Sequence, residues 1–177
     1  MNIVVLTGSP HKNGTSALLA EQFIKGAKEA GHDIYRFDAA FRKVHPCIAC
    51  DHCAKDVCVF QDDMVELYPK LLASDMIVFA TPIYYFSFSA QLKMVIDRFY
   101  AYNQELIDAK KKAVLLATGG DEDAWSFDVI ANLYHNICKY LCLEDQGMVL
   151  AQNTFTREMI EQTTYPKQAY ELGKALK

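Results

Sequence analysis

Residues 3–16 read IVVLTGSPHKNGTS, in which an apolar run leads into a polar loop and then into a helical pattern. An unbroken apolar run of this kind predicts a strand that is buried on both faces. The next apolar positions, Leu19, Phe23 and Ala27, recur at the spacing of one helix face. The stretch therefore predicts a strand, a loop and a helix in direct succession, which is the first unit of an α/β fold.

The same alternation of short apolar runs and amphipathic stretches continues along the chain. Further strands are predicted at residues 34–37, 76–80, 113–117 and 147–151, and helices at residues 16–30, 63–73, 89–102, 125–143 and 164–176. Because crossovers between parallel strands are right-handed, this order predicts a mostly parallel sheet with helices on both faces. Ligands of such sheets bind beyond the carboxyl ends of the strands, so function is expected in the loops after Leu6, Ala80 and Ala117.

Two local signals mark the helix at residues 63–73. Asp63 and Glu66 have the spacing of a capping box, which predicts that the helix begins there. Pro69 lies inside the same helix and is expected to kink or delay it, because proline removes a backbone hydrogen bond.

Length and charge narrow the class of protein. The 177 residues fit a single domain over residues 1–177, and the net charge of −4 gives no reason to expect nucleic acid or an anionic membrane as a partner. No apolar run approaches the ~20 residues that span a bilayer. The N-terminus lacks the basic head and cleavage site of a signal peptide, so a cytoplasmic protein is expected.

The loop after the first strand is the first candidate binding site. Its backbone N–H groups, its hydroxyl side chains and the positive end of the next helix dipole suit a phosphate monoester. Gly8 and Gly14 are too far apart for a Walker A loop, and a G-x-G-x-x-G pattern is absent, which argues against triphosphate and dinucleotide loops. The alternative is a plain polar turn that caps the helix. The candidate phosphate-binding residues are Ser9, Pro10, His11, Lys12, Asn13, Gly14, Thr15 and Ser16.

The second and third loops predict a site for a flat ring. Three consecutive aromatic residues after the third strand form an apolar wall with polar tips, which a ring with a polar edge requires. The third loop contains glycines that let the backbone approach a ligand closely. The alternatives are core aromatics, a dimer interface and a plain turn, and Trp125 either covers the ring or packs in a dimer. The candidate residues are Pro82, Ile83, Tyr84, Tyr85, Phe86, Thr118, Gly119 and Gly120.

The first two loops together resemble a known family. The loop at residues 8–16 resembles the phosphate loop of the NADPH-dependent FMN reductases, in which His11 is usually Arg, Thr15 is Asn and Ser16 is Thr. Lys12 could replace the charge of the missing arginine. The second loop with the following residues 91–93 and 97–98 resembles that family's isoalloxazine loop and helix. The resemblance implies bound FMN and a flavodoxin-like three-layer sandwich whose five-stranded parallel sheet has the order 2-1-3-4-5.

Cys47, Cys50, Cys53 and Cys58 form a compact cluster in a predicted irregular loop. In a reducing compartment such clustering indicates metal or redox chemistry, and the spacing is close to the bacterial ferredoxin run C-x2-C-x2-C-x3-C-P. Within the reductase family the pattern resembles the iron–sulfur flavoproteins. The resemblance implies that these four cysteines bind a [4Fe–4S] cluster near the FMN.

Other interpretations of the cysteines stay open. The four thiols could bind a structural zinc ion, Cys47 and Cys50 could form a redox-active disulfide, or all four could bind no metal. His45 and His52 lie nearby as alternative ligands. Cys138 and Cys142 are spaced i,i+4 on a predicted helix and are expected to be small core residues.

The resemblance implies an oxidoreductase in which NAD(P)H reduces FMN and electrons pass to a quinone, another small acceptor or an iron–sulfur cluster. No catalytic acid or base is assigned, because the cofactor supplies the chemistry. One alternative is an iron–sulfur flavoprotein electron carrier that a protein partner such as ferredoxin reduces, without NAD(P)H activity. Another is a flavodoxin-like module that binds no flavin. A homodimer is also implied, and the aromatics at residues 84–88 and 99–102 provide an apolar surface for it.

Overall fold

A five-stranded parallel sheet forms the centre of the computed structural model, which describes residues 1–54 and 57–177. Its strands are β1 (Asn2–Thr7), β2 (Asp33–Asp38), β3 (Met76–Pro82), β4 (Lys112–Thr118) and β5 (Glu144–Ala151). Every neighbouring pair is parallel and the strand order is β2-β1-β3-β4-β5. This order is flavodoxin-like and confirms the predicted fold class.

Helices cover both faces of the sheet. They are α1 (Thr15–Glu29), α2 (Met64–Ala73), α3 (Ala90–Asp97), α4 (Asn103–Asp108), α5 (Asp128–Tyr140), α6 (Arg157–Glu161) and α7 (Tyr165–Lys174). Alternate residues of β1 enter different cores, because successive side chains of a strand point to opposite faces. Val4 and Leu6 pack in the core under α2, α3 and α5, whereas Ile3 and Val5 pack in the core under α1 and α7. No helix in the described ranges is long and apolar enough to cross a membrane.

Helices α1 and α7 approach each other unusually closely through two glycines. A Cβ atom at Gly26 would lie 2.1 Å from the carbonyl oxygen of Tyr170, and one at Gly173 would lie 2.3 Å from that of Phe23. Only glycine fits at such a separation, so the last helix of the chain lies directly against the helix that follows the first loop.

Several predicted helix boundaries are corrected by the structure. The helix predicted at residues 89–102 ends as an α-helix at Asp97 and continues as a 3-10 helix, Arg98–Tyr102. Helix α2 begins where the capping box placed it, but Asp63 makes no side-chain cap bond. Instead the Asp62 carboxylate accepts a hydrogen bond from the Met64 N–H at 3.1 Å.

Candidate functional site

The first and second loops are joined at the carboxyl edge of the sheet. Ser89, the N-cap of α3, donates a hydrogen bond from its Oγ to the carbonyl oxygen of Gly8 at 2.7 Å. Its backbone N–H donates to Thr81 Oγ1 at 3.1 Å. A Cβ atom at Gly8 would lie 2.3 Å from Ser89 Oγ and 2.7 Å from Leu92 Cβ, so the contact requires glycine. The two loops therefore form one unit, and Ser89 is a residue that the sequence patterns did not single out.

The N-terminus of α1 has features that suit an anion. Its N-cap is Gly14, which makes no side-chain cap bond, and its first turn contains no acidic residue. The first-turn N–H groups of the helix therefore lack a capping side chain and lie at the positive end of its dipole. Ser9 shapes the preceding loop, because its Oγ accepts a hydrogen bond from the His11 N–H at 3.1 Å. This geometry suits a phosphate group.

The predicted phosphate residues differ in exposure. Ser9 and Ser16 are buried, Gly14 and Thr15 are half-buried, and the loop tip is exposed at Pro10, His11, Lys12 and Asn13. Thr15 donates a hydrogen bond from its Oγ1 to Thr118 Oγ1 at 2.9 Å, which joins the first loop to the third. The Lys12 Nζ lies 5.2 Å from the centre of the Phe41 ring, so this cation contacts the segment after β2.

The second loop contains a strained two-residue turn. Tyr84 and Ser87 exchange two backbone hydrogen bonds, each 3.2 Å long, across Tyr85 and Phe86. The φ angles of Tyr85 and Phe86 are +47° and +65°, which belong to a type I′ turn that normally uses Asn or Gly. Tyr85 is 98% exposed, so packing does not explain its conformation. Strain of this kind is concentrated at functional sites.

We expect Tyr85→Gly to raise the free energy of unfolding of the flavin-free protein by about 0.5–1 kcal/mol. Relief of a left-handed conformation gains about 1–2 kcal/mol, and the added freedom of glycine in the unfolded chain costs about 0.5–1 kcal/mol. Urea denaturation measures the change. Tyr84→Gly is the matched control, because Tyr84 has no positive φ and its replacement should lower stability. An equal loss of stability in both variants would contradict the strain inferred at Tyr85.

The second and third loops enclose an apolar cleft beside this turn. The cleft has a volume of about 280 Å³, close to the lower end of the ~300–1,000 Å³ usual for small-molecule sites. It is lined by Ile83, Tyr85, Phe86, Gly119, Gly120, Asp121, Ser126 and Phe127. The Ile83 N–H donates to the Thr118 carbonyl oxygen at 2.8 Å and fixes the two loops relative to each other.

Further aromatic residues lie in or beside the cleft. Phe127 lines it. Trp125, for which the sequence left two roles open, has its ring centre 5.4 Å from that of Phe86. A Cβ atom at Gly120 would lie 2.5 Å from Phe155 Cδ2, and Phe155 itself is 81% exposed. Of the remaining predicted ring residues, Pro82 is half-buried at the end of β3 and Tyr84 is 43% exposed. The three predicted loops thus come together at one edge of the sheet.

The four clustered cysteines surround one common cavity. Cys47, Cys50, Cys53 and Cys58 all line a space of about 20 Å³. Positive φ angles at Ala49 and Asp51, +51° and +56°, bend the backbone on either side of Cys50. Burial raises the pKa of the Cys53 thiol, and the other three cysteines raise it further.

The residue types around this cavity suit an iron–sulfur cluster. Thiolates are the ligands that such clusters use, and four thiols line the one space. Asp51 lines it as well. In the described ranges, no three metal-ligating side chains are gathered closely enough to hold a metal ion. The fit therefore rests on the chemistry of the donor set.

The remaining histidine and cysteine predictions are partly corrected. The His45 ring stacks on Phe60 with 4.8 Å between ring centres, and neither His45 nor His52 lines the cysteine cavity. Cys138 is buried in the core, as predicted. The prediction for Cys142 is wrong: helix α5 ends at Tyr140, and Cys142 is exposed with a φ of +53°.

A buried ion pair attaches the cysteine segment to the end of α3. The Arg98 and Asp62 side chains are 1% and 4% exposed, and Arg98 Nη1 lies 2.8 Å from Asp62 Oδ2. Arg98 Nη1 also donates to the His45 carbonyl oxygen at 3.0 Å. Burial would raise the pKa of Asp62, but hydrogen bonds from Arg98 and from the His45 and Met64 N–H groups outweigh it and lower the pKa. Because His45 precedes the cysteines and Asp62 follows them, Arg98 holds both ends of the segment.

Comparisons with known proteins found one matching family and several curated relatives. Residues 1–129 match a family that is described as NADPH-dependent FMN reductase. An iron–sulfur flavoprotein of Archaeoglobus fulgidus is 38% identical over 67% of this chain, and the chain spans 62% of that protein's length. An iron–sulfur flavoprotein of Methanosarcina thermophila is 32% identical over 76% of this chain and 71% of its own length.

A solved structure supports the fold alone. An FMN-dependent NADH-azoreductase from Bacillus anthracis, in complex with FMN, is 14% identical and superposes with a TM-score of 0.71. The match covers 97% of each chain.

Proposed function

Because the chain belongs to the NADPH-dependent FMN reductase family, we propose that it is an FMN-dependent oxidoreductase that also binds an iron–sulfur cluster. The observation that carries the proposal is the presence of two sites at opposite ends of α3. Ser89 joins the phosphate and ring loops at one end, and Arg98 lines the four-cysteine cavity at the other. At ~1.5 Å per residue the eight residues of α3 between them span about 12 Å. Electrons could therefore pass between the two cofactors within one chain.

The chain's residues have distinct tasks in holding FMN. The first-turn N–H groups of α1 would bind the phosphate, together with the hydroxyls of Ser9, Thr15 and Ser16. Ile83 and Phe86 would contact the ring, and Gly119 would let the backbone approach its polar edge. FMN, when bound, supplies both hydride and single-electron transfer. The protein's part is to orient the ring and to exclude water from one of its faces.

Cys47, Cys50, Cys53 and Cys58 would bind a [4Fe–4S] cluster through their thiolates. Thiolates are the ligands that such clusters require, and the four lie around one cavity. We propose that electrons leave the flavin through this cluster, or reach a quinone or another small acceptor directly from the ring cleft.

NAD(P)H is the reductant that the family implies, and a protein partner is the second candidate. The observation that favours a partner is the acidic rim of the ring cleft: Asp121 lines it, and Glu122 and Asp123 follow it as exposed carboxylates. Such a rim opposes the phosphates of a dinucleotide. A carrier reduced by a protein such as ferredoxin would not need a dinucleotide there.

Anaerobic mixing distinguishes the two functions. Rapid bleaching of the flavin absorbance by NADH or NADPH would support the reductase. Bleaching by reduced ferredoxin, with no response to either nicotinamide, would support the carrier. An Asp121→Asn, Glu122→Gln, Asp123→Asn variant tests the repulsion by the rim. We expect NADPH to bleach the flavin of this variant faster than that of the unaltered protein. Pure protein that is colourless and takes up no FMN would contradict both functions.

We also propose that the protein is a homodimer. A groove of about 310 Å³ beside α3 and α5 is lined in part by Ile96, Ile137 and the exposed aromatics Tyr100 and Tyr140. A second copy of the chain would cover these apolar surfaces. Sedimentation velocity tests this, since a clean monomer at micromolar concentration would contradict it.

A further inference from the structure

One donor of the buried Arg98 side chain is left without a partner. Arginine has five N–H donors in a rigid planar fork. The two terminal nitrogens donate to Asp62 and to the His45 carbonyl oxygen. The Nε atom is buried and has no hydrogen-bond partner among residues 1–54 and 57–177. A buried N–H group without a partner is costly, so an acceptor placed beside it would be favoured.

The position of Arg98 identifies the kind of ligand. The residue lines the same cavity as the four cysteines, and its guanidinium carbon lies 5.1 Å from the centre of the Phe60 ring on the cavity wall. Arginine stays protonated in proteins, and the Asp62 carboxylate lies 2.8 Å from its Nη1. A charged donor beside a thiolate site suits an electron-rich sulfur atom.

We propose that Arg98 Nε–H donates a hydrogen bond to a sulfur atom of the cluster and thereby raises the cluster's reduction potential. The inference rests on the proposed cluster and assigns a role to a residue outside the four ligands. A reduced cluster carries one more negative charge than an oxidised one. Hydrogen bonds to its sulfurs therefore stabilise the reduced form and raise the potential.

The ion pair with Asp62 sets the orientation of the Arg98 guanidinium and reduces its net charge. Asp62 fixes the guanidinium by two contacts, at 2.8 and 3.3 Å, and offsets much of its positive charge. The directed N–H bond is then a larger influence on the cluster than the net charge of the pair. Asp62 is thus a positioning residue for the donor.

The first test is Arg98→Lys. Lysine keeps the charge and can pair with Asp62, but it has no Nε–H group. We expect unchanged iron and FMN content, and an approximately tenfold lower ratio of reduced to oxidised cluster at a fixed potential, which corresponds to ~59 mV for one electron. The FMN potential should not change. Arg42→Lys is the matched control, because Arg42 pairs with the exposed Glu66 and does not line the cavity.

A second test uses the unaltered sequence and does not depend on the folding of a variant. In protein labelled with 15N-arginine, pulsed EPR of the reduced cluster should detect a 15N coupling, because Arg98 is the arginine among the cavity's lining residues. An absent coupling would overturn the proposed hydrogen bond but not the proposed cluster. So would an Arg98→Lys variant whose ratio of reduced to oxidised cluster equals that of the unaltered protein. Unaltered protein that takes up no iron or sulfide under anaerobic reconstitution would overturn the proposed cluster and this inference together.

Discussion

Cys50→Ser should abolish the binding of iron and sulfide by anaerobically purified protein while FMN stays bound at the level of the unaltered protein. Cys50 lines the four-cysteine cavity between the two positive-φ residues Ala49 and Asp51. Serine has nearly the same size, but its hydroxyl is a poor substitute for a thiolate toward iron. Iron and sulfide analysis together with the visible spectrum measures the loss.

Cys142→Ser provides the control for this experiment. Cys142 is exposed, as Cys50 is, but it lies beyond the end of α5 and does not line the cavity. Its replacement should leave iron, sulfide and FMN unchanged. Full iron content in Cys50→Ser would contradict the assignment of Cys50 as a ligand. Zinc in place of iron in the unaltered protein would favour the structural zinc site.

Asp62→Ala should lower the free energy of unfolding of the iron-free protein by about 3–5 kcal/mol, because it leaves the Arg98 charge buried without its partner. Both side chains are almost fully buried, so water cannot replace the lost carboxylate. Chemical denaturation measures the change. Asp97→Ala is the control, because it breaks an exposed i,i+4 pair with Lys93 and should cost only about 0.2–1 kcal/mol. Similar small losses in both variants would contradict a dominant role for the buried pair.

The same pair predicts a dependence of stability on pH. The pKa of Asp62 is lower in the folded protein than its ordinary value, so its ionised form stabilises the fold. This contribution is fully present above the unfolded-state pKa of about 3.9 and is lost as the pH falls through the folded-state pKa. The stability of Asp62→Asn should therefore fall less steeply below about pH 4 than that of the unaltered protein. Parallel curves would show that other carboxylates dominate acid unfolding.

The sheet could be predicted from the sequence because its strands are short apolar runs. The run at residues 76–80 lies within β3, and the run at residues 113–117 lies within β4. Strands buried on both faces leave this signal, whereas their order in the sheet came from the resemblance of the loops to a family.

Helix ends were harder to predict, because tertiary contacts decide them. The capping-box spacing selected Asp63, but its neighbour Asp62 accepts the N–H of Met64 and also pairs with Arg98. Likewise the helical period through Arg98 did not reveal that the α-helix ends at Asp97. The spacing in the sequence could not show that Asp62, rather than Asp63, accepts this hydrogen bond, because the choice depends on the contact of Asp62 with Arg98.

Sequence patterns indicate the residues of the candidate site that lie together in one loop. They give no signal for residues that meet there from distant segments. The loop at residues 8–16 carries its own signal of small and hydroxyl residues. Phe155 reaches Gly120 from a separate segment after β5, and Ser89 acts through its contact with Gly8, so neither has a local pattern. The turn at Tyr85 and Phe86 contradicts its own residue preferences, and strained positions of this kind escape propensity rules.

The close contact of α1 with α7 bears on the order in which a newly made chain becomes functional. Gly26 and Phe23 belong to the helix whose first turn forms the candidate phosphate site, yet their partners Tyr170 and Gly173 are synthesised much later. During translation α1 would lack the surface that covers one of its sides until α7 has been added. Flavin capture is therefore expected to follow the synthesis of α7 rather than the appearance of the loop that binds the flavin.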